Sequence, residues 1–399
     1  MLIRPNIDKF AKIMVVGVGG GGGNAINTMI AGGQVQGVDF VAINTDKQAL
    51  SLNMSPRTLP IGHEITGGLG SGAVPEVGKK AAEESGEDIK KMMEGYDMIF
   101  VTSGMGGGTG TGASPVVAQI AKDLGALTVA VVTKPFKFEG PSRMENANRG
   151  ISELGKSVDA LITIPNQKLL EMDQKDLPLI DAFKLADDVL ANGVRGISDL
   201  IVQPGMINLD FADVRTVMQD AGTALMGVGE STEGDKDRAL EAVQAAVKSP
   251  LLDRGMEGAS KVLLNIMGDN SISMSEVEKV ASHINECSQG SPNIIFGTAL
   301  DKDMGDKLRV TVIATGFDDD FVKDIDTSIA GGFATYKTKN NNSTSSKTGD
   351  SADNEEDIDS NIVFNEKDNK QNKKDKSGKI FGEPDDEMDY EIPTFLRRS

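Results

Sequence analysis

The chain has 399 residues and a net charge of −19, from 41 Lys and Arg against 60 Asp and Glu. That length suffices for two domains, and so acidic a balance argues against a nucleic-acid binder, which needs a basic excess to neutralise phosphates. A single cysteine, Cys287, excludes an internal disulfide framework and fits a reducing compartment. No apolar signal-like stretch opens the sequence and no run of about 18 apolar residues occurs. A soluble, cytoplasmic protein is expected, with a core of Val, Ile, Leu, Met and Ala, since Trp is absent.

A first strand over 13–17 runs into Gly17-Val-Gly-Gly-Gly-Gly-Gly-Asn24, and a helix follows over 25–30. Gly17, Gly19 and Gly22 satisfy G-x-G-x-x-G in the right place after a strand. One reading is a nicotinamide-binding Rossmann domain, with Asp46 after the second strand (38–43) as the acidic residue. Asp46 also reads as a plain helix cap. A third glycine-rich loop, Thr66-Gly-Gly-Leu-Gly-Ser-Gly-Ala-Val-Pro75, precedes a polar helix over 76–93. His63 has no acid partner in the pattern and reads as a bystander.

The most informative stretch is Gly104-Met-Gly-Gly-Gly-Thr-Gly-Thr-Gly112. It lies between an apolar strand (98–101) and a helix (113–121). Glycines let a backbone approach closely, and free N–H groups at a helix start point at an anion. No P-loop lysine is present, so backbone dipoles must do most of the holding. A P-loop expression does occur, Gly150-Ile-Ser-Glu-Leu-Gly-Lys-Ser157, but with helix before and strand (158–164) after it. That order is reversed, and Lys156 reads as a chance match.

Farther on, a strand (127–132) leads to Thr133-Lys-Pro-Phe-Lys-Phe-Glu-Gly140 and a helix carrying Arg143. Glu139 and Arg143 stand i,i+4, the spacing of a surface ion pair. A long helix over 180–202 has one apolar face. Phe183 and Asp187 share a side near its start. Phe183 could be core and Asp187 a helix-terminal charge, or together they could stack on a purine and accept from guanine N1–H and N2–H₂. Asn208, Asp210 and Asp213 then form N-x-D-x-x-D, with Asp210 a natural N-cap.

Taken together, these motifs resemble the tubulin/FtsZ family of GTPases, in family order from about Ile13 to Thr315 and again at the tail. The resemblance implies GTP and GDP as ligands, with Mg²⁺ held largely by phosphates and water. It assigns nucleotide binding to Gly20, Gly21, Gly22, Gly23 and Asn24, to Asn44 and Asp46, and to Gly70, Gly72 and Ala73. It also assigns Gly107, Gly108, Thr109, Gly110 and Thr111 to phosphate, Glu139 and Arg143 to ribose and phosphate, and Phe183 and Asp187 to the base. The neighbouring Asp188 leaves open which carboxylate reads guanine. Asn208, Asp210 and Asp213 match a catalytic loop that enters the next subunit's site, so head-to-tail filaments and assembly-dependent hydrolysis are implied. The family role implied is a bacterial division ring at midcell. A tubulin-like filament with another cellular role is the alternative. A dinucleotide oxidoreductase would leave the loop at 104–112 and the acidic loop without purpose.

The fold expected is α/β: a Rossmann-like GTPase domain with a parallel sheet (1–179), a long central helix (180–203) and a smaller α+β domain (204–316). Strands over 223–229, 262–266, 294–298 and 308–315, with helices over 236–248 and 275–286, give that last domain four strands and two helices. His283 and Cys287 lack a third metal ligand. Residues 317–386 are polar and read as a disordered linker. Residues 387–399 regain apolar character. From Asp389 to Arg398 they resemble the family's tail peptide, which binds membrane-tethering and regulatory division proteins. Ile392, Phe395 and Leu396 form an apolar edge beside Arg397 and Arg398. Contact with the membrane would be indirect.

Overall fold

The computed structural model describes residues 11–317, except 34, 36, 173–177, 203–205, 208, 233–236, 250–251, 253–254, 289–290 and 302–303. The linker and tail peptide, and Asn208, fall outside the described residues. In chain order the first part runs β1 (Ile13–Val18), α1 (Gly19–Ala31), β2 (Val38–Asn44), α2 (Lys47–Ser51), β3 (Arg57–Pro60), α3 (His63–Thr66), α4 (Pro75–Glu84), α5 (Gly86–Met93), β4 (Met98–Gly104), α6 (Thr109–Asp123), β5 (Leu127–Lys134), α7 (Pro141–Gly155), β6 (Ala160–Pro165) and α8 (Asn166–Met172). Then come α9 (Leu179–Val202), α10 (Phe211–Met218), β7 (Gly222–Glu230), α11 (Arg238–Val247), β8 (Lys261–Gly268), α12 (Met274–Cys287), β9 (Asn293–Leu300) and β10 (Leu308–Thr315).

The strands form one sheet in the order β3-β2-β1-β4-β5-β6-β7-β10-β8-β9. The run from β3 to β7 is parallel throughout. Parallel strands buried on both faces should be apolar at every position, and β1 is buried at all six residues. Its alternate residues enter opposite cores. Ile13 and Val15 join one cluster with α1 and α9, whereas Met14, Val16 and Val18 join another with α4 to α6. The chain moves outward from β1 to β2 and β3, then returns to add β4, β5 and β6 on the other side. The order therefore reverses between β1 and β4, where ligands of open α/β sheets bind beyond the carboxyl ends of the strands.

β7 pairs with β6 over only three residues, Ala160 to Ile162 against Gly222 to Ala224. This short pairing joins the four later strands to the parallel sheet, a continuity that separate readings of the two parts did not anticipate. β10 is antiparallel to both β7 and β8. A core of α11, α12, β8 and β10 covers one face.

α9 packs against both parts. A Cβ on Gly193 would lie 2.9 Å from Val131 Cγ1, and one on Gly196 would lie 2.9 Å from Thr311 Cγ2. Glycine there lets the helix lie close to β5 and β10 at once. Ala186, Leu190, Val194 and Ile197 form its buried stripe, at the i, i+4 and i+3 steps expected of an amphipathic helix. Truncating Leu190 to Ala would cost about 2–5 kcal/mol.

Two helix starts come earlier than composition suggests. Gly19 to Gly23 and Thr109 to Gly112 lie inside α1 and α6, not in loops before them. Glycine disfavours helix by about 1 kcal/mol per residue, but close packing requires it here. A Cβ on Gly22 would sit 2.4 Å from the Thr102 carbonyl oxygen, and one on Gly112 1.8 Å from that of Pro75. The polar stretch at 76–93 is also two helices, α4 and α5. They break at Ser85, whose Oγ accepts the Gly62 N–H at 3.1 Å.

Candidate functional site: a glycine-walled cleft at the strand ends

A cleft of about 440 Å³ opens beyond the carboxyl ends of β1 and β4. Gly20, Gly21 and Asn24 of α1 form one wall. Gly104, Gly107, Gly108, Thr109 and Gly110 form another. The walls touch at backbone level, since a Cβ on Gly21 would meet Gly104 N at 3.0 Å. Neither α1 nor α6 has a side-chain N-cap or an acidic residue in its first turn. Two helix starts thus present their first N–H groups uncapped and their dipoles unneutralised, which is the electrostatics of an anion cradle.

Side-chain hydroxyls tie the loops together. Thr109 Oγ1 is 2.7 Å from Thr45 Oγ1 and 3.0 Å from Ser71 Oγ. This links the loops after β2 and before α4 to the start of α6. Ser71 and Ala73 line the cleft, and Ala73 adopts φ 63°, a conformation few non-glycine residues take. Gly70 and Gly72 flank Ser71 with φ 91° and 60°, outside the lining.

The start of α9 contributes to the remaining lining. Phe183, Ala186, Asp187 and Leu190 of α9 line the cleft, with Pro135, Thr133 and Asn166 opposite. Phe183 is 40% exposed, and its ring meets the buried Phe136 edge-on at 5.4 Å. Burial, reinforced by the Asp188 charge, pushes the Asp187 carboxyl up to about 7 from an ordinary 3.8. Asn166 is 5% exposed, and its Oδ1 is buried without a protein partner. An unpaired buried amide oxygen costs about 1–3 kcal/mol, so a hydrogen-bonding ligand fits this position. At the rim Glu139 accepts from Arg143 and from the Phe136 N–H, the latter at 2.9 Å. The i,i+4 pair is therefore formed, and both partners also line the cleft.

Several expected residues stand just behind the lining. Gly22 packs on β4, and the Gly23 carbonyl accepts from Asn53 at 2.9 Å. Asn44 Oδ1 accepts the Asp46 N–H at 3.3 Å, and Asp46 caps α2 through Gln48 N and Ala49 N. Thr111 Oγ1 accepts the Gly106 N–H at 2.8 Å and shapes the loop from within. Lys156 is exposed at the end of α7, with β6 after it, so the P-loop lookalike forms no cradle. Among the described residues no group of three or more His, Cys, Asp or Glu is arranged to hold a metal ion, and no helix is long and apolar enough to cross a membrane.

Asp210 and Asp213 lie elsewhere. They form a reciprocal capping box at the start of α10: Asp213 N–H donates to Asp210 Oδ1 at 2.9 Å, and Asp210 N–H to Asp213 Oδ2 at 3.2 Å. No described residue of 206–218 lines the cleft. Leu190 is the last α9 residue in the lining, and the 12 residues from Ala191 to Val202 then carry the chain away from the cleft, about 18 Å at 1.5 Å per residue.

Ser71, Met105, Thr133, Pro135, Asn166, Ala186 and Leu190 line the cleft without having been singled out in the sequence. Asn166 carried one usable signal, as an Asn opening a helix straight after a strand. Ser71, Met105, Thr133 and Pro135 lie within the loop stretches already quoted, and Ala186 and Leu190 on the apolar face of the long helix, but that they line the cleft is decided only by folding.

A cleft at the reversal of a parallel sheet, floored by two uncapped helix starts and closed by an aromatic and a carboxyl group, defines a nucleotide-binding protein. Comparison with known proteins narrows the class. Residues 12–174 match the GTPase domain of the tubulin/FtsZ family, and residues 222–318 match the C-terminal domain of the FtsZ family. An empty FtsZ dimer from M. jannaschii is 45% identical, with a TM-score of 0.72 over 77% of this chain and 88% of that one. A point mutant of M. jannaschii FtsZ is also 45% identical, with a TM-score of 0.73 over 77% and 91%. A GTPγS-bound CetZ2 protofilament from Haloferax volcanii shares the fold at 20% identity, TM-score 0.67, over 80% and 98%. The chain belongs to the tubulin/FtsZ family: it binds guanine nucleotide and hydrolyses GTP.

Proposed function

We propose that this protein is a GTP-dependent filament protein whose reaction centre is shared between head-to-tail subunits. The observation that carries this reading is that Asp210 and Asp213 lie beyond the end of α9 opposite to the one that lines the cleft. One chain cannot bring its own Asp210 and Asp213 to its own cleft, but a second copy stacked end to end can. Such a contact does not close on itself and propagates.

The substrate is Mg·GTP. The cradle holds the phosphates by backbone N–H groups and the Thr109 hydroxyl, and Arg143 adds charge at the rim. Phe183 stacks on the base, and Asp187, ionised once paired, accepts from guanine N1–H and N2–H₂. The Asn166 amide takes a further base or sugar contact. Gly22, Gly23, Asn44, Asp46, Gly70, Gly72 and Thr111 support the lining. Asp210, Asp213 and Asn208 of the neighbour orient and polarise the attacking water. Phosphoryl transfer needs that positioning more than covalent help.

The cellular role that fits is the bacterial division ring at midcell, in the cytoplasm. The tail from Asp389 to Arg398 would dock membrane-tethering and regulatory partners. The domain division at about 179, 203 and 316 belongs to the same reading. Phosphate release measured against protein concentration with Mg·GTP tests it: a threshold followed by a steep rise is expected. Turnover per molecule that is flat on dilution would refute a shared site.

A further inference from the structure

Two polar contacts bind the far end of α6 to α10, away from the nucleotide cleft. Lys122, in the last turn of α6, lies 3.2 Å from Asp159 and 3.2 Å from Asp220. Asp159 is buried, and its other oxygen accepts the Thr128 N–H at 2.9 Å, fixing it to β5. Asp220 follows α10 by two residues and holds a left-handed backbone, φ 49°. Burial pulls the Lys122 ammonium down, but its hydrogen bonds to Asp159 and Asp220 more than offset this and hold it above the usual lysine value.

The second contact starts in α10. Arg215 donates from Nη2 to the Gly125 carbonyl at 3.5 Å, just past α6. Its guanidinium lies over the Phe211 ring, 5.2 Å from the centroid. Its Nε is buried without a protein partner. Lys122, Asp159, Arg215 and Asp220 share one cleft of about 160 Å³. Phe211 directly follows the N-cap Asp210, so the guanidinium packs on the residue next to the acidic pair. Val214, Val217 and Met218 seat the other face of α10 in the core that holds Leu127 and Val129 of β5.

The opposite end of α6 is the phosphate cradle. A helix of 15 residues spans about 22 Å. α6 therefore lines the chain's own nucleotide cleft at Thr109 and, at its other end, holds the turn after α10 through Lys122, while the Gly125 carbonyl just past it accepts from Arg215.

We propose that Arg215 is a positioning residue for GTP hydrolysis: through its contacts with Phe211 and the Gly125 carbonyl it orients the acidic pair that α10 offers to the next subunit. This rests on the shared-site reading. The test uses the full chain with Mg·GTP and compares Arg215→Ala, Arg215→Lys and Asp220→Gly, the last keeping the left-handed backbone while removing the carboxylate. Arg215→Ala should keep monomer GTP affinity, the assembly threshold and KM, while kcat falls about tenfold or more. Arg215→Lys should recover part of that loss by reaching the Gly125 carbonyl. Asp220→Gly should lower kcat in the same direction by a smaller factor, and it stands in if Arg215→Ala fails to fold. In an Asp210→Ala background, Arg215→Ala should change turnover no further, because no intact pair is left to orient. Wild-type kcat in Arg215→Ala and Asp220→Gly, or a loss that multiplies with that of Asp210→Ala, overturns the proposal. Undiminished turnover in Asp210→Ala alone would instead overturn the shared site beneath it.

Discussion

At the start of α9, Phe183 and Asp187 join a cleft whose loops are already tied to one another through the hydroxyls of Thr45, Thr109 and Ser71. Past the other end, Asp210 and Asp213 accept each other's backbone N–H groups and stand outside the lining of this cleft. The first region has preorganised donors awaiting an anion. The second has acceptors awaiting a substrate. Preorganisation of donors fits tight binding in an isolated chain, whereas an exposed carboxylate pair acquires catalytic value only in a site that excludes water. The difference teaches that binding and hydrolysis can be removed separately.

The sharpest break comes at the acidic end. Asp210→Ala or Asp213→Ala should cut turnover by about 10²–10³ and leave monomer GTP affinity unchanged, as read by phosphate release beside titration calorimetry. The capping box is lost as well, at about 1 kcal/mol of stability. Next in size, Gly108→Ala should weaken GTP binding at least tenfold with the helical circular dichroism retained. Its Cβ would come within 2.3 Å of Ser71 Oγ and 2.7 Å of Val74 N, displacing the loop beside the cradle.

Asp187 gives a smaller, pH-dependent effect. Its folded value near 7 lies above the ordinary 3.8. The folded state therefore binds the extra proton between those limits, and the nucleotide-free protein loses stability as pH rises through that window. Asp187→Asn removes this cost. Its melting temperature without nucleotide should exceed wild type by a few degrees at pH 8 and match it at pH 4. Preference for GTP over ATP should drop about tenfold or more, since an amide cannot accept both guanine donors. The smallest effect is the control: Lys156→Ala should change neither affinity nor stability beyond about 0.5 kcal/mol.

The fold was largely legible because apolar strands announce themselves, and glycines clustered after 18 and 104 mark close backbone approach. The extents of α1 and α6 were not, because Gly22 and Gly112 are helical through tertiary packing and against their propensity. The β6–β7 junction rests on three residue pairs between strands some sixty residues apart, and local pattern carries no trace of it. In the site, the glycine and threonine lining was readable as motif. Asn166 was not, since it is a single polar residue whose meaning comes from what the fold sets beside it. Asp46, Asp210 and Asp213 each cap a helix, so one carboxylate can satisfy a local backbone need whatever else it does.

The central claim is tested most directly by mixing two inactive chains. Asp210→Ala keeps an intact cleft; a Gly108 variant that no longer binds GTP keeps an intact acidic pair. If the pair works on a neighbour, the equimolar mixture should recover about a quarter of wild-type turnover, the share of random head-to-tail junctions that join a whole cleft to a whole pair. A mixture that co-sediments as filaments yet hydrolyses no more GTP than its separate components would contradict the account.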